Sequence, residues 1–150
     1  MSSKSVQLYT IGFTGKSAET FFYLLISNRV RKLIDTRVNN ASQLSGFAKG
    51  KDLAYFSKAI GQIDYEHRLD MAPTRELLND YRSNRLTWDE YSDTYLALLE
   101  ERNLNGGLTA ARLDRACLLC SEHLPKNCHR SLLAEYIRRA HPEVEVKHLV

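Results

Sequence analysis

The sequence predicts the α/β class: one domain, with a mostly parallel sheet of about five strands and helices on both faces. Three observations lead there. Short β-rich runs alternate with stretches of helical periodicity from one end of the chain to the other, an order that sets strands side by side with helices crossing over them. The 150 residues are 43% hydrophobic and 26% charged, ordinary globular values for a chain able to bury a core without staples. No repeat, low-complexity tract or linker divides them, and Gly106-Gly107 is expected to be a loop inside the domain.

Val6 to Gly12 is β-rich and ends on a glycine, as a first strand would. Ser17 is a helix cap, followed by Ala18, Phe21, Phe22 and Leu25 at helical spacing. Lys32 to Arg37 is the second strand, and its end carries Asp35 and Arg37. After a polar loop, Asp52 opens a short helix with Leu53, Phe56 and Ile60 on one face. Gln62 to Leu69 is a third strand with Ile63, Tyr65 and His67 alternating, and Pro73-Thr74 starts a helix bearing Leu77, Leu78 and Tyr81. Thr87-Trp88-Asp89-Glu90 is a capping box. It launches a helix with Trp88, Tyr91, Tyr95 and Leu98 inward, ended by Asn105-Gly106-Gly107. Arg115 to Ser121 is the fourth strand, His129 to Ala140 the last helix and Val144 to Val150 a closing strand.

Three cysteines cannot all pair with one another, so free thiols in a reducing compartment are the expectation. Met-Ser-Ser-Lys-Ser-Val lacks the apolar centre of a signal peptide, and no apolar run approaches a membrane span. A cytoplasmic protein without a membrane partner is expected. The net charge of +3 is spread along the chain, at Arg29, Arg31, Lys32, Lys49, Lys51, Arg138 and Arg139 among others. That balance permits a nucleic-acid partner but fits a solvated surface better.

The densest chemistry lies between Cys120 and Arg130, where a strand gives way to a helix. This stretch holds two cysteines, two histidines, Glu122, Lys126 and Arg130. In a parallel sheet all strands end at one edge, so Gly12, the Asp35/Arg37 pair and Cys120 with Glu122 should converge there. Asp35 and Cys128 facing different compartments would break that shared pocket.

The strings Tyr9-Thr10-Ile11-Gly12, Asp35-Thr36-Arg37, Leu119-Cys120-Ser121-Glu122 and Cys128-His129-Arg130-Ser131 resemble the bacterial and archaeal domain-of-unknown-function family 488. The likeness runs nearly end to end and takes in Gly46-Phe47, Ala72-Pro73-Thr74 and the Trp88/Tyr91 pair. Cys-x-Glu followed by Cys-His-Arg is its specific part. The resemblance implies a Rossmann-like fold and little about activity. The family often has His after Thr-Ile-Gly where this chain has Phe13, so a mechanism needing that imidazole does not transfer.

Cys128, at or beside the N-cap of the last helix, is placed to be a stabilised thiolate or part of an anion-binding turn; the alternative is a small buried side chain, with Arg130 paired to a carboxylate. Cys117 and Cys120 stand three apart on a strand and so face opposite sides, which makes Cys117 a core residue rather than half of a redox pair. Cys120, Cys128 and His129, with Glu122 or His123, could ligate zinc or iron, but the spacing of eight is unusual and no metal ligand is assigned. A disulfide between Cys120 and Cys128 is a further alternative under oxidation. Arg37 would hold an anion while Asp35 contacts a hydroxyl or acts as a base, or the two form an ion pair. Glu122 is either an acid/base group or an orienter of Arg130. His67, His141 and His148 are expected at the surface or in packing, and Trp88 and Tyr91 in the core. Gly15-Lys16-Ser17 imitates the tail of a phosphate loop whose upstream glycine is missing, since position 10 is Thr.

The site expected is therefore Cys120, Cys128, Asp35 and Glu122 as catalytic groups, with Arg37, His129, Arg130, Ser131, Thr10 and Gly12 binding substrate. Its ligand is an anionic small molecule or nucleotide, no cofactor is assigned, and an enzyme stands beside a binding or sensing module for nucleotide, nucleic acid or a thiol-bound metal.

Overall fold

A computed structural model describes residues 5–40, 48–122 and 128–150. Gly46, Phe47, His123 and Lys126 lie outside the described residues. Five strands form one all-parallel sheet: β1 (Val6–Gly12), β2 (Lys32–Asp35), β3 (Asp64–His67), β4 (Ala116–Cys120) and β5 (Val144–Leu149). Their spatial order is β3-β2-β4-β1-β5. The expected α/β class with helices on both faces is what the chain adopts, in a Rossmann-like layout.

The helices are α1 (Ala18–Ser27), α2 (Gly50–Gly61), α3 (Arg75–Arg82), α4 (Trp88–Glu101), α5 (Ala110–Leu113) and α6 (His129–Ala140). Their starts follow local chemistry. Ser17, Thr74 and Thr87 accept backbone N–H bonds at the caps of α1, α3 and α4, and Glu90 completes the capping box of α4. Two cores result. Phe21, Phe22 and Leu25 of α1 and Leu53 of α2 pack on Ile11, Leu33, Cys117 and Leu119. Tyr91, Tyr95 and Leu99 of α4, with Leu133 and Ile137 of α6, pack on Leu8, Ile34 and Leu118 on the opposite face.

Several boundaries differ from expectation. β2, β3 and β4 are shorter than their β-rich runs, because β2 is paired to β3 and β4 only from Lys32 to Asp35. Leu99 rather than Leu98 is buried on α4, while Ala18 and Ile60 are exposed. Asn105 to Gly107 belongs to a separate 3-10 turn, Leu104–Gly107, after α4 has ended at Glu101. The turn Leu69–Met71 and the single-turn α5, capped by Thr109, were not anticipated. Among the described residues no helix is long and apolar enough to cross a membrane.

Strand order fixes where a site can form. β4 lies between β2 and β1, which lead to α2 and α1 on one face, while β4 leads to α6 on the other. Chains leaving neighbouring strands in opposite directions open a crevice at the carboxyl edge, the usual ligand position in such sheets.

Candidate functional site

The edge is built around Arg130, fully buried in the first turn of α6. Its Nη1 donates to the Glu122 carbonyl and to Cys120 Sγ at 3.0 Å, and stands 4.0 Å from Cys128 Sγ. Its Nε reaches Thr10 Oγ1 at 3.3 Å. Burial lowers Arg130 to about 10, against opposing pulls from Cys117 and Glu122, so it remains a cation at neutral pH. Gly12 makes room for this arrangement. A β-carbon there would collide with the Glu122 carbonyl and crowd Arg130 Nη1, so Gly12 is needed for close approach rather than for flexibility.

The Cys120 and Cys128 sulfurs are in contact, and Cys117 stands apart from them. Cys120 ends β4 and Cys128 is the N-cap of α6, with no side-chain capping bond. Cys117 is buried on the α1/α2 face, where burial pushes its thiol well above the usual range. Its placement in the core follows from the strand period.

His129 is buried and its Nε2 lies 2.9 Å from the Thr36 carbonyl and 3.0 Å from Thr36 Oγ1. The Thr36 hydroxyl donates to the Leu119 carbonyl at 2.8 Å, and a carbonyl only accepts. Both contacts therefore require Nε2–H, and Nδ1 keeps the ring's lone pair. Burial, opposed by the Thr36 carbonyl, lowers His129 to about 4. The ring is neutral at pH 7.

Asp35 and Arg37 form a buried, bidentate pair, with Nε at 2.8 Å from Oδ1 and Nη2 at 2.7 Å from Oδ2. Oδ1 also accepts the Arg37 backbone N–H, and Oδ2 the Tyr65 hydroxyl. Tyr65 is raised to about 12 by burial and by that carboxylate. Four donors thus occupy Asp35. By strand alternation it shares the α1/α2 face with Leu33, away from Cys120 and Cys128. Of the two readings of Asp35, the ion pair with Arg37 is the one the structure shows, and Asp35 stands outside any pocket shared with Cys128. Arg37 itself lies beyond the end of β2 and borders the crevice, while its guanidinium stays beside Asp35 over the buried Phe13 ring at 5.2 Å. Nη2 donates to the Ala48 carbonyl, while the buried Nη1 has no hydrogen-bond partner among the described residues.

A cavity of about 440 Å³ opens here, within the range of small-molecule sites, roughly 300–1,000 Å³. Cys120, Glu122, Cys128, His129 and Arg37 line one side. Arg75, Leu78, Asn79, Tyr81 and Arg82 of α3, with Tyr91 of α4, line the other. The structure thus brings together five of the ten expected residues at the cavity. Arg130 lies behind them, and Thr10 is taken up by Arg130 and by His148, whose Nδ1 is 2.6 Å from its hydroxyl. Ser131 turns its hydroxyl to the Cys128 carbonyl at 2.8 Å and does not line the cavity. Glu122 is exposed at the rim.

Sequence reasoning missed the α3 wall. Arg75 and Arg82 are seven apart, two helical turns, so they share a face, but nothing local says that this face meets the sheet edge. It also missed two supports from β3: Tyr65, and His67, whose Nε2 donates to the Arg37 carbonyl at 2.7 Å. Lys16 is a third, donating to the Gly12 carbonyl at 2.7 Å and lowered by burial and by Arg130. Among the described residues no group of three or more His, Cys, Asp or Glu could hold a metal ion.

The family described as Domain of unknown function DUF488 matches residues 17–137. Neither curated proteins nor solved structures give a match.

Proposed function

This chain belongs to the DUF488 family, and from its site we propose that it is a small enzyme acting on an anionic, phosphate- or nucleotide-containing ligand with a thiol taking part. The observation that carries the reading is Arg37. Arg37 is 97% buried, lines the cavity and is held by Asp35, and its buried Nη1 has no hydrogen-bond partner among the described residues. A buried donor left open is costly, and an anion that draws the guanidinium towards the cavity would give it a partner. Arg75 and Arg82 add positive charge on the facing wall, against the single carboxylate of Glu122.

In the reduced protein Arg130 favours the thiolate at Cys120 through a charge-assisted N–H···S contact. Cys120 attacks the electrophilic atom of the bound ligand; the new bond to sulfur forms as the bond to the leaving group breaks. The leaving group, departing at the rim beside Glu122, takes a proton from solvent, and water then displaces the sulfur. His129, neutral with Nδ1 unprotonated, is the base for that water. Thr10 and Ser131 support the cradle, Gly12 admits it, and Asp35 holds Arg37. A single domain in a reducing, cytoplasmic setting fits the free-thiol form.

The test is turnover of reduced protein on nitrophenyl phosphate and a nucleotide panel, with calorimetry of phosphate and nucleotide binding. Cys120→Ser should lose turnover by roughly 1,000-fold or more, the order seen on removing a nucleophile. Unchanged turnover in both Cys120→Ser and Cys128→Ser removes covalent thiol catalysis, and absence of binding removes the anion. A second reading, a non-catalytic binding or sensing module, is favoured by the touching sulfurs, since bridging them would keep the arginines and remove the nucleophile. Binding retained by both variants, with no turnover in wild type, selects it.

A further inference from the structure

Cys120 and Cys128 have a second chemistry that needs no anion. Their sulfurs touch, although they come from different elements, the end of β4 and the cap of α6. Both are almost wholly buried, at 1% and 3% exposure, yet both line the cavity. A reagent reaching them must therefore be small enough to enter that cavity, which excludes a protein disulfide or a bulky thiol. One sulfur has a dedicated cation: Arg130 Nη1 is 3.0 Å from Cys120 Sγ but 4.0 Å from Cys128 Sγ. Cys117, three residues before Cys120, has no access to the cavity and lies on the other face of the sheet.

We infer that Cys120 and Cys128 are a hydroperoxide-reactive pair, with Cys120 the thiolate that meets a small hydroperoxide and Cys128 the thiol that resolves it. The Cys120 thiolate attacks one peroxide oxygen, the O–O bond breaks, and the departing hydroxide or alkoxide takes a proton to leave as water or alcohol. Cys120 is now a sulfenic acid, oxidised by two electrons. The Cys128 thiol attacks that sulfur, the S–O bond breaks, and the hydroxide released combines with the thiol proton as water. Two thiols and one hydroperoxide give one disulfide, one water and one water or alcohol. A low-molecular-weight dithiol restores the pair by exchange.

The experiment is hydrogen peroxide added in equal amount to fully reduced wild-type protein, with thiol counting and peptide mass mapping. Loss of two thiols per peroxide, a Cys120–Cys128 peptide and an intact Cys117 thiol are expected. The rate should exceed that of glutathione at the same pH by roughly 100-fold, the order one buried donor aimed at developing charge is worth. In Cys128→Ser, dimedone should label Cys120; in Cys120→Ser it should label nothing at that rate. A wild-type rate no faster than glutathione, or oxidation spread over all three cysteines, overturns the inference even if neither variant folds. Phosphate binding to the reduced wild type is measured in parallel, so loss of the anion reading and loss of this one are separate results.

Discussion

The two edges of the sheet carry similar residue types and use them in opposite ways. At the amino edge, Arg31, Lys32, Asp64, Arg112 and Asp114 border a shallow hollow. Lys32 pairs with Glu66 at 2.6 Å, Lys58 with Asp64 at 2.8 Å, and Arg31 donates to the Asp114 carbonyl, largely in contact with water. At the carboxyl edge Arg37, Arg130 and His129 are buried, and among the described residues Arg37 Nη1 has no acceptor. An exposed pair contributes little, because water already solvates both charges. A buried one depends on every partner, because desolvation has removed the alternative. Charge density alone therefore does not mark a site; burial combined with an unmet hydrogen bond does.

The largest effect expected from this difference is on stability. Asp35→Asn leaves the buried Arg37 guanidinium without its carboxylate, and breaking a buried pair in this way costs about 3–5 kcal/mol. Asp64→Asn removes an equally short but exposed contact with Lys58 and should leave urea unfolding unchanged. Equal midpoints for the two variants would erase the distinction between the edges.

Next in size is a pH effect at His129. Its folded value, about 4, lies below the ordinary 6.5 because burial disfavours the charged ring. Between those values the unfolded chain binds a proton that the folded chain does not. Stability from this group is therefore fully present above pH 6.5 and lost as pH falls towards 4. The loss amounts to about 3 kcal/mol across that window. In His129→Gln the corresponding slope in urea unfolding should flatten. An unchanged slope would place the titrating group elsewhere.

The sequence revealed what depends on local pattern. The limits of α6, His129 to Ala140, were legible because a polar loop and Pro142 bracket a clean helical period. Cys117 and Cys120 separated correctly because β4 is paired without interruption from Ala116 to Cys120, so alternation holds along it. The same rule does not reach Arg37. Pairing ends at Asp35, so two-residue periodicity no longer constrains Arg37, which folds back on the Asp35 carboxylate and over the buried Phe13 ring. Arg75, Arg82, Tyr65 and His67 could not be assigned, because their roles depend on which helix crosses the edge and which strand flanks β2. Those are tertiary facts with no local signal.

The smallest effect tests whether the cavity or the molecule as a whole attracts anions. Arg82 faces the cavity and Arg112 borders the amino-edge hollow, and each substitution by alanine removes the same unit of charge from a net of +3. If attraction comes from the summed field, both variants weaken phosphate binding alike, and salt removes the effect within a Debye length of about 8 Å. If it comes from the cavity, Arg82→Ala should weaken binding about fivefold, roughly 1 kcal/mol, and Arg112→Ala should not alter it. Calorimetry at two salt concentrations reads both. Arg37, buried and held by Asp35, should keep the remaining affinity at the higher salt, because a desolvated charge is screened less than an exposed one.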